Sequence, residues 1–413
     1  MNSKLRSHAD TIVKEAVAAV LPDEAVRRAL RERPLTGKVY LVAAGKAAWQ
    51  MAHAAAQCLE GGIAAGVVVT KYGHVMGEIP ACTCFEAGHP VPDENSFAAT
   101  RAALELVEKA GKGDTVLFLL SGGGSALFEL PLISGEELAD VTRQLLACGA
   151  DIVEMNTVRK RLSAVKGGRF AQACAPAQVF AVVLSDILGD PLDMIASGPA
   201  CPDSSTCEQA LAVAEKYGLK LSAGAMKCLR TETPKALDNV ETRVTGSVRE
   251  LCAAAAASCE RLGYKAAVLT DRLCCEAREA GSFLASIAKS HEDTREPLAF
   301  LAGGETVVHL TGKGKGGRNQ ELALAAAAGI AGMANAAVFS VGSDGTDGPT
   351  DAAGGYADGD TVAALAAHGL TVHGVLADND AYPALEAAGG LIVTGPTGTN
   401  VNDVAVVLVR PAE

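Results

Sequence analysis

The sequence predicts two α/β domains, the first built on a doubly wound parallel sheet. Three observations carry this. The chain has 413 residues, which at roughly 150 residues per domain suits two domains better than one. Short β-branched runs alternate with longer helical patterns along most of it. These runs are apolar throughout instead of alternating with polar residues, which marks strands covered on both faces.

In the first half the expected strands are Lys38–Ala44, Gly66–Thr70, Thr115–Leu120 and Val179–Leu184, with a helix through Trp49, Met51 and Leu59 after the first. The polar stretch Thr231–Asn239 interrupts the pattern, so the expected domains are residues 1–235 and 236–413, with 236–295 the least defined part. Beyond it, strands are expected at Ala266–Thr270, Pro297–Leu301, Ala337–Val341, Leu391–Val393 and Val404–Leu408. Leu322–Phe339 is apolar except for Asn335, but Gly329 and Gly332 divide it into a helix and a strand rather than a membrane span.

Composition narrows the classes of function. A net charge of −12 argues against nucleic acid as a partner. The N-terminus is amphipathic and carries acids, and without an apolar stretch it reads as a helix, not a signal peptide. The 12 cysteines include no C-x-x-C pair, so they are expected to be reduced core residues of a cytoplasmic protein. No partner nucleic acid and no membrane are expected.

In doubly wound sheets, ligands sit beyond the carboxyl ends of the strands. Glycine-rich and polar segments follow the expected strands directly. Ser121-Gly122-Gly123-Gly124-Ser125 can turn several backbone N–H groups towards one anion; a tight turn with no ligand is the plainer reading. Lys46 stands where the first strand gives way to a helix, within reach of a phosphate or a carboxylate. Thr311–Glu321 (TGKGKGGRNQE) matches G-x-G-x-x-G through Gly312, Gly314 and Gly317, after the mostly apolar run Val307–Leu310. The ribose-binding acid of a dinucleotide site, due about 20 residues on, is missing. The loop's cations favour phosphate instead, against a merely solvated basic loop.

Two acidic loops, Ser185–Asp193 and Ser343–Asp351, carry Asp186, Asp344, Asp347 and Asp351. Carboxylates on glycine-rich loops suit magnesium, although Asx-turns would use the same residues. Asn156–Arg169 (NTVRKRLSAVKGGR) is rich in cations, of which Arg159 and Lys166 are candidate anion ligands. Its S-x-x-K at Ser163–Lys166 lacks the partner motifs of serine β-lactamases. A Walker A loop and H-E-x-x-H are absent. His89, held in the Gly- and Pro-rich GHPVPDENS, is the histidine that stands out, though a core or turn role is the commoner fate.

Taken in order, GKAA, GHPVPDENS, SGGGSAL, NTVRK, LSAVKGG and SDILGDPLDMIASGP resemble the N-terminal half of the class II glycerate kinases. GGET, GGRNQE, VGSDGTDGPTDAAGG and GPTGTNVND resemble the MOFRL domain that follows it. The resemblance implies a Rossmann-like first domain, a second α/β domain of MOFRL type and an active site in the cleft between them. It also implies ATP-dependent phosphorylation of D-glycerate to 2-phosphoglycerate with magnesium or another divalent metal. Lys46 and Arg318 are the residues carried over by similarity. Arg161 departs from the pattern, standing where relatives are expected to have histidine.

On this reading Lys46 and Arg318 stabilise the transferring phosphoryl group, and Ser121–Ser125 bind phosphate or the glycerate carboxylate with Arg159, Lys166, Glu305 and Asn319. Asp186 or Asp344 binds the metal or accepts the hydroxyl proton, with Asp347 a further candidate ligand. A homodimer is compatible with the sequence. The competing readings are a nicotinamide-dependent hydroxypyruvate reductase and a non-enzymatic sugar-acid or nucleotide sensor.

Overall fold

The structure, a computed structural model, describes residues 1–412. They fall into two compact units: Pro22–Thr245, and a second formed by Met1–Leu21 with the chain from Gly246 onward.

The unit Pro22–Thr245 contains β1 (Val39–Ala44), β2 (Ile63–Lys71), β3 (Cys82–Ala87), β4 (Thr115–Leu120), β5 (Gln178–Leu184) and β6 (Val240–Gly246), in the order β3-β2-β1-β4-β5-β6. The β1–β2, β1–β4, β2–β3 and β4–β5 pairs are all parallel. The continuous apolar runs are explained residue by residue. Val42 of β1, Phe118 of β4 and Ala181 of β5 enter a core beneath helix Glu94–Val107. Their neighbours Leu41, Leu117 and Phe180 enter a second core beneath helices Pro22–Glu32 and Ala48–Leu59. Successive residues of a strand point to opposite faces, so a sheet with two cores needs apolar residues at every position. A separate helical layer, Gly135–Ala147, Ile152–Arg161, Cys207–Lys216 and Ala223–Leu229, encloses its own core around Val141, Val158, Ala210 and Leu229.

The second unit contains β7 (Lys265–Leu273), β8 (Leu298–Gly304), β9 (Ala336–Gly342), β10 (Gly354–Asp358), β11 (Leu391–Ile392) and β12 (Asp403–Val409), ordered β11-β10-β9-β12-β8-β7. Only the β7–β8 pair is parallel; β12 lies antiparallel between β8 and β9. That orientation sets Asp403, the first residue of β12, opposite Gly304 and Gly342, the last residues of β8 and β9. Leu322–Phe339 does divide as expected, into helix Arg318–Gly329 and most of β9. No helix among the described residues is long and apolar enough to cross a membrane.

The division of the chain differs from the sequence expectation at both ends. Helix Ser3–Ala19 belongs to the second unit. It buries Leu5, Ala9, Ile12, Val13 and Ala16. His8 meets the Tyr264 hydroxyl at 2.8 Å, and Glu15 accepts hydrogen bonds from Ser258 and Arg261 at 2.5 Å each. Its apolar stripe specifies burial, but no sequence period says against which sheet. The later crossing lies at Thr245/Gly246, because Thr231–Asn239 is not a linker. Thr233 is buried on Asp203, and the Asn239 side chain donates to the carbonyls of Ala171 and Ala177. Polar residues can thus sit inside a domain when every polar atom finds a partner.

Helix Arg318–Gly329 crosses helix Ala277–Ser290 at very short range. A Cβ added to Gly281 would lie 2.2 Å from the Leu322 carbonyl oxygen, and one on Gly329 would lie 2.7 Å from Ala285 Cβ. The alanine content of both helices is what permits this approach. Gly281→Ala is therefore expected to lower stability by about 1–3 kcal/mol, seen as a lower urea midpoint in a circular-dichroism titration; an unchanged midpoint would mean the helices separate without cost.

Candidate active site

In the unit Pro22–Thr245 the strand order reverses direction between β1 and β4, the switch point where open α/β sheets place their ligands. The two strands carry Gly45-Lys46 and Ser121–Ser125 there. Backbone bonds join the two turns. The Lys46 amide donates to the Gly122 carbonyl at 2.9 Å, and the Ala47 amide to Ser121 Oγ at 3.0 Å. Gly45 has φ +125°, and a Cβ there would lie 2.2 Å from Ser121 Oγ; no other residue fits. Ser121 is consequently buried and bonded to the Lys46 turn.

The glycines of the turn are each covered by a side chain. Asp186, from the loop after β5, lies against Gly122: a Cβ on that glycine would be 2.3 Å from Asp186 Oδ2. His89 and Lys46 flank Gly123, whose φ is +84°; its Cβ would be 3.0 Å from the imidazole and 3.2 Å from Lys46 Cγ. Gly124 opens a helix of only four residues, so its dipole is short and the donors available are the individual amides. Those of Gly122, Gly123, Gly124 and Ser125 have no protein acceptor among the described residues. Lys46 is exposed beside them.

Behind the turn lies a buried polar layer. Lys166 is fully buried, donating to the Ser125 carbonyl at 2.8 Å and pairing with Glu129, also fully buried. Burial pulls the Lys166 ammonium down to about 8, Glu129 opposing that fall and Arg159 adding to it. Lys166, expected as an anion ligand, thus holds the turn from behind through Ser125 and Glu129. Glu129 was not foreseen: a lone glutamate in an apolar stretch gives no sequence signal. Arg159 stands differently. One nitrogen lies 3.5 Å from the Ser125 carbonyl, and its buried Nε has no protein partner. Arg161, the departure from the family pattern, is fully buried on the Thr157 carbonyl and on Ser205, with Asp203 and Glu232 in ion-pair range.

In the second unit the carboxyl ends of β8 and β9 meet the start of β12. Arg318, the first residue of its helix, forms a fork with Asp403, Nε to Oδ2 at 2.5 Å and Nη2 to Oδ1 at 3.0 Å, and approaches Glu305 at 3.3 Å. These bonds raise its pKa further, so it is permanently charged. Glu305 in turn accepts from Asn402 at 3.2 Å. Asp403 and Asn402 were missed as individual residues, although the GPTGTNVND motif contains them.

Asp347 caps this helix. Its carboxylate accepts from the amides of Asn319 and Gln320 at 3.2 and 2.9 Å. Burial nonetheless lifts its pKa to about 6, the two amides and Arg318 opposing the rise and Asp403 adding to it. Asn319 is buried between Asp347 and the Ser340 hydroxyl. Both residues, expected to contact metal and substrate, are bonded at the helix terminus. Asp344 is part-buried and accepts from the Thr346 amide at 3.0 Å, the Asx-turn reading. Among the described residues no three His, Cys, Asp or Glu side chains form a metal-binding group.

The G-x-G-x-x-G loop is not a dinucleotide turn. Val307 and Leu310 before it are 57% and 79% exposed, with no strand there. The amides of its first part are already taken: those of Thr311 and Gly312 by Asn379 Oδ1, that of Lys313 by Asp378, and that of Lys315 by Asp380. Gly312 and Gly314 are glycine because residues 378–380 pack on them, a Cβ on either coming within 2.3 and 2.5 Å.

Comparison with known proteins gives a family for most of the chain. Residues 8–230 match the family described as Domain of unknown function (DUF4147), and residues 298–403 match the MOFRL family. A D-glycerate 2-kinase of Thermotoga maritima is 54% identical over 98% of both chains. A crystal structure of glycerate kinase from the same organism superposes with a TM-score of 0.95 at 53% identity, covering 98% of this chain and 99% of that one. A glycerate 2-kinase of Pyrococcus horikoshii is 41% identical over 96% of each chain. A 40% identical chain from Agrobacterium vitis, matched over 96% of this chain and 93% of its own length, carries a hydroxypyruvate reductase name.

The buried pair behind the glycine turn makes a prediction of its own. Lys166→Met strands Glu129 as an unpaired buried charge and is expected to cost about 3–5 kcal/mol of stability. Replacing both, with Glu129→Leu, is expected to recover most of that loss. Thermal and urea unfolding of the single and double variants would check it; a double variant no more stable than Lys166→Met would contradict it.

Proposed function

The chain belongs to the DUF4147/MOFRL family of glycerate kinases, and on that premise we propose the reaction it performs: transfer of the γ-phosphoryl group of ATP to the 2-hydroxyl of D-glycerate. The observation that carries this is the full-length 54% identity to a D-glycerate 2-kinase. The anion-ready turn at the β1–β4 switch point supports it from the structure.

Phosphoryl transfer passes through a loose transition state and depends on positioning and charge neutralisation more than on covalent chemistry. The amides of Gly122–Ser125 are the donors for phosphate or carboxylate oxygens, with Lys46 and the Arg159 guanidinium as the cations beside them. Arg318, held in orientation by Asp403 and Glu305, meets the charge of the transferring group. Divalent ions enter such reactions bound to the nucleotide, keeping several waters and needing only one or two protein carboxylates. Asp186 on Gly122 and Asp344 after β9 fit that demand, whereas Asp347 is bonded to its helix. When bound, the ion neutralises phosphate charge. A cytoplasmic setting agrees with twelve cysteines all present as free thiols.

A reductase would need a nicotinamide site, and the one loop that resembles a dinucleotide fingerprint follows no strand and has the amides of Gly312, Lys313 and Lys315 occupied by residues 378–380. The pure protein is expected to release ADP from ATP only when D-glycerate is present, and to leave NADH unchanged with hydroxypyruvate. Hydroxypyruvate-dependent NADH loss without glycerate-dependent ADP release would reverse the assignment, and tight ligand binding without either would favour a sensor. Arg318→Ala should lower kcat by about 10³-fold or more; a near-normal kcat with only a raised KM would remove it from the transition state.

A further inference from the structure

The titratable groups around the glycine turn include one that neither the fold nor the roles above employ. His89 follows β3 in the GHPVPDENS loop, and its imidazole lies on Gly123, with Cδ2 and Nε2 at 3.0 and 3.1 Å from where a Cβ would stand. It is part-buried, and neither ring nitrogen has a protein hydrogen-bond partner among the described residues. Here its surroundings are the open amides of the turn and the exposed Lys46 chain on the other side of the same glycine. The C-terminal part of the GHPVPDENS loop is anchored: Asp93 caps helix Glu94–Val107 and receives the Tyr72 hydroxyl at 2.7 Å, and Asn95 donates to the Glu86 carbonyl. These bonds tie the loop to the helix that follows, and the imidazole is the part of it that lies on the glycine turn.

We propose that His89 is the general base of the reaction, accepting the proton of the glycerate 2-hydroxyl as that oxygen attacks the γ-phosphorus. This rests on the glycerate 2-kinase reading. The O–H bond breaks and its proton passes to an imidazole nitrogen. The oxygen forms a bond to phosphorus, and the bond from phosphorus to the bridging oxygen breaks with its electron pair leaving on ADP. The imidazolium then returns the proton to water after the product departs. Nothing else is consumed.

The electrostatic setting agrees. Burial, Lys46 and Lys71 hold the His89 pKa below its ordinary value, so the ring is neutral and able to accept at neutral pH. The other charged or titratable groups near it are Asp186 across Gly122, Asp93 and Tyr72 at the Gly88 end of its loop, and His74 on the Lys46 carbonyl. Lys46 also explains why a neutral base suits this position better than a carboxylate: an imidazole beside the ammonium leaves the cation's charge free for phosphate.

The test uses the whole enzyme with ATP, magnesium and D-glycerate, reading glycerate-dependent ADP release. Wild-type protein with no such release would refute the kinase reading itself, and this proposal with it. Given an active wild type, His89→Gln is expected to lower kcat by about 100-fold or more, with KM for both substrates little changed. In His89→Gly, whose vacated space admits a small base, added imidazole is expected to restore a substantial part of the rate in proportion to its unprotonated fraction. Melting curves and circular dichroism of both variants establish that they are folded. Folded variants that keep kcat within a few-fold of wild type, or that lose activity only through KM and gain nothing from imidazole, would overturn the proposal and return the proton to Asp186.

Discussion

Everything proposed for the first unit hangs on how closely two strand ends approach. β1 and β4 are adjacent and parallel, and their turns are bonded amide to carbonyl through Lys46 and Gly122, and amide to hydroxyl through Ala47 and Ser121. Gly45 permits the contact because any side chain would enter Ser121. With that contact made, the amides of the glycine turn are left without protein acceptors at the rim of the sheet. Lys46, His89 and Asp186 are gathered on two glycines. The Lys166–Glu129 pair holds the turn from behind through the Ser125 carbonyl. A charged pair so deeply buried is poor evidence of stability; what it fixes is the position of one carbonyl, and with it the direction of the neighbouring amides.

The second unit solves a related problem by a different route. Its β12 runs antiparallel between β8 and β9, so a strand beginning, not an end, delivers Asp403 to the functional edge. Asp403 and Glu305 orient the Arg318 fork, and Asp347 secures the helix on which Arg318 stands. One carboxylate thus orients the cation and another anchors its backbone. Such support fixes the Arg318 guanidinium more firmly than a loop placement would.

Much of this architecture was legible in the sequence, for reasons that differ by element. Strands with two buried faces announce themselves as unbroken apolar runs, so β1, β4, β5, β9 and β12 were plain. Cys82–Ala87, Val240–Gly246 and Gly354–Asp358 were not: two stand at or near sheet edges and carry polar residues, and the third begins with two glycines. The membership of helix Ser3–Ala19 in the second unit could not be read, because an amphipathic stripe does not name its partner. Among the candidate site residues, sequence position at strand ends put forward Lys46, the glycine turn and Asp186, which the structure brings together. It could not separate cations that face a ligand from those that brace the backbone. Lys166 proved to be a brace and Arg159 retains an unpartnered nitrogen, yet the two look alike in NTVRKRLSAVKGGR. Asp347 and Asn319 likewise read as ligands until their bonds to the helix terminus are seen.

The fold alone does not choose among chemistries. The assignment to phosphoryl transfer on the 2-hydroxyl draws on likeness to glycerate 2-kinases, and the geometry supplies the anion-binding parts. Phosphorus NMR of the product formed from ATP and D-glycerate tests that most directly. The account predicts a single new phosphomonoester that matches 2-phosphoglycerate, together with ADP in equal amount. A product matching 3-phosphoglycerate, or ADP with inorganic phosphate alone, would contradict it.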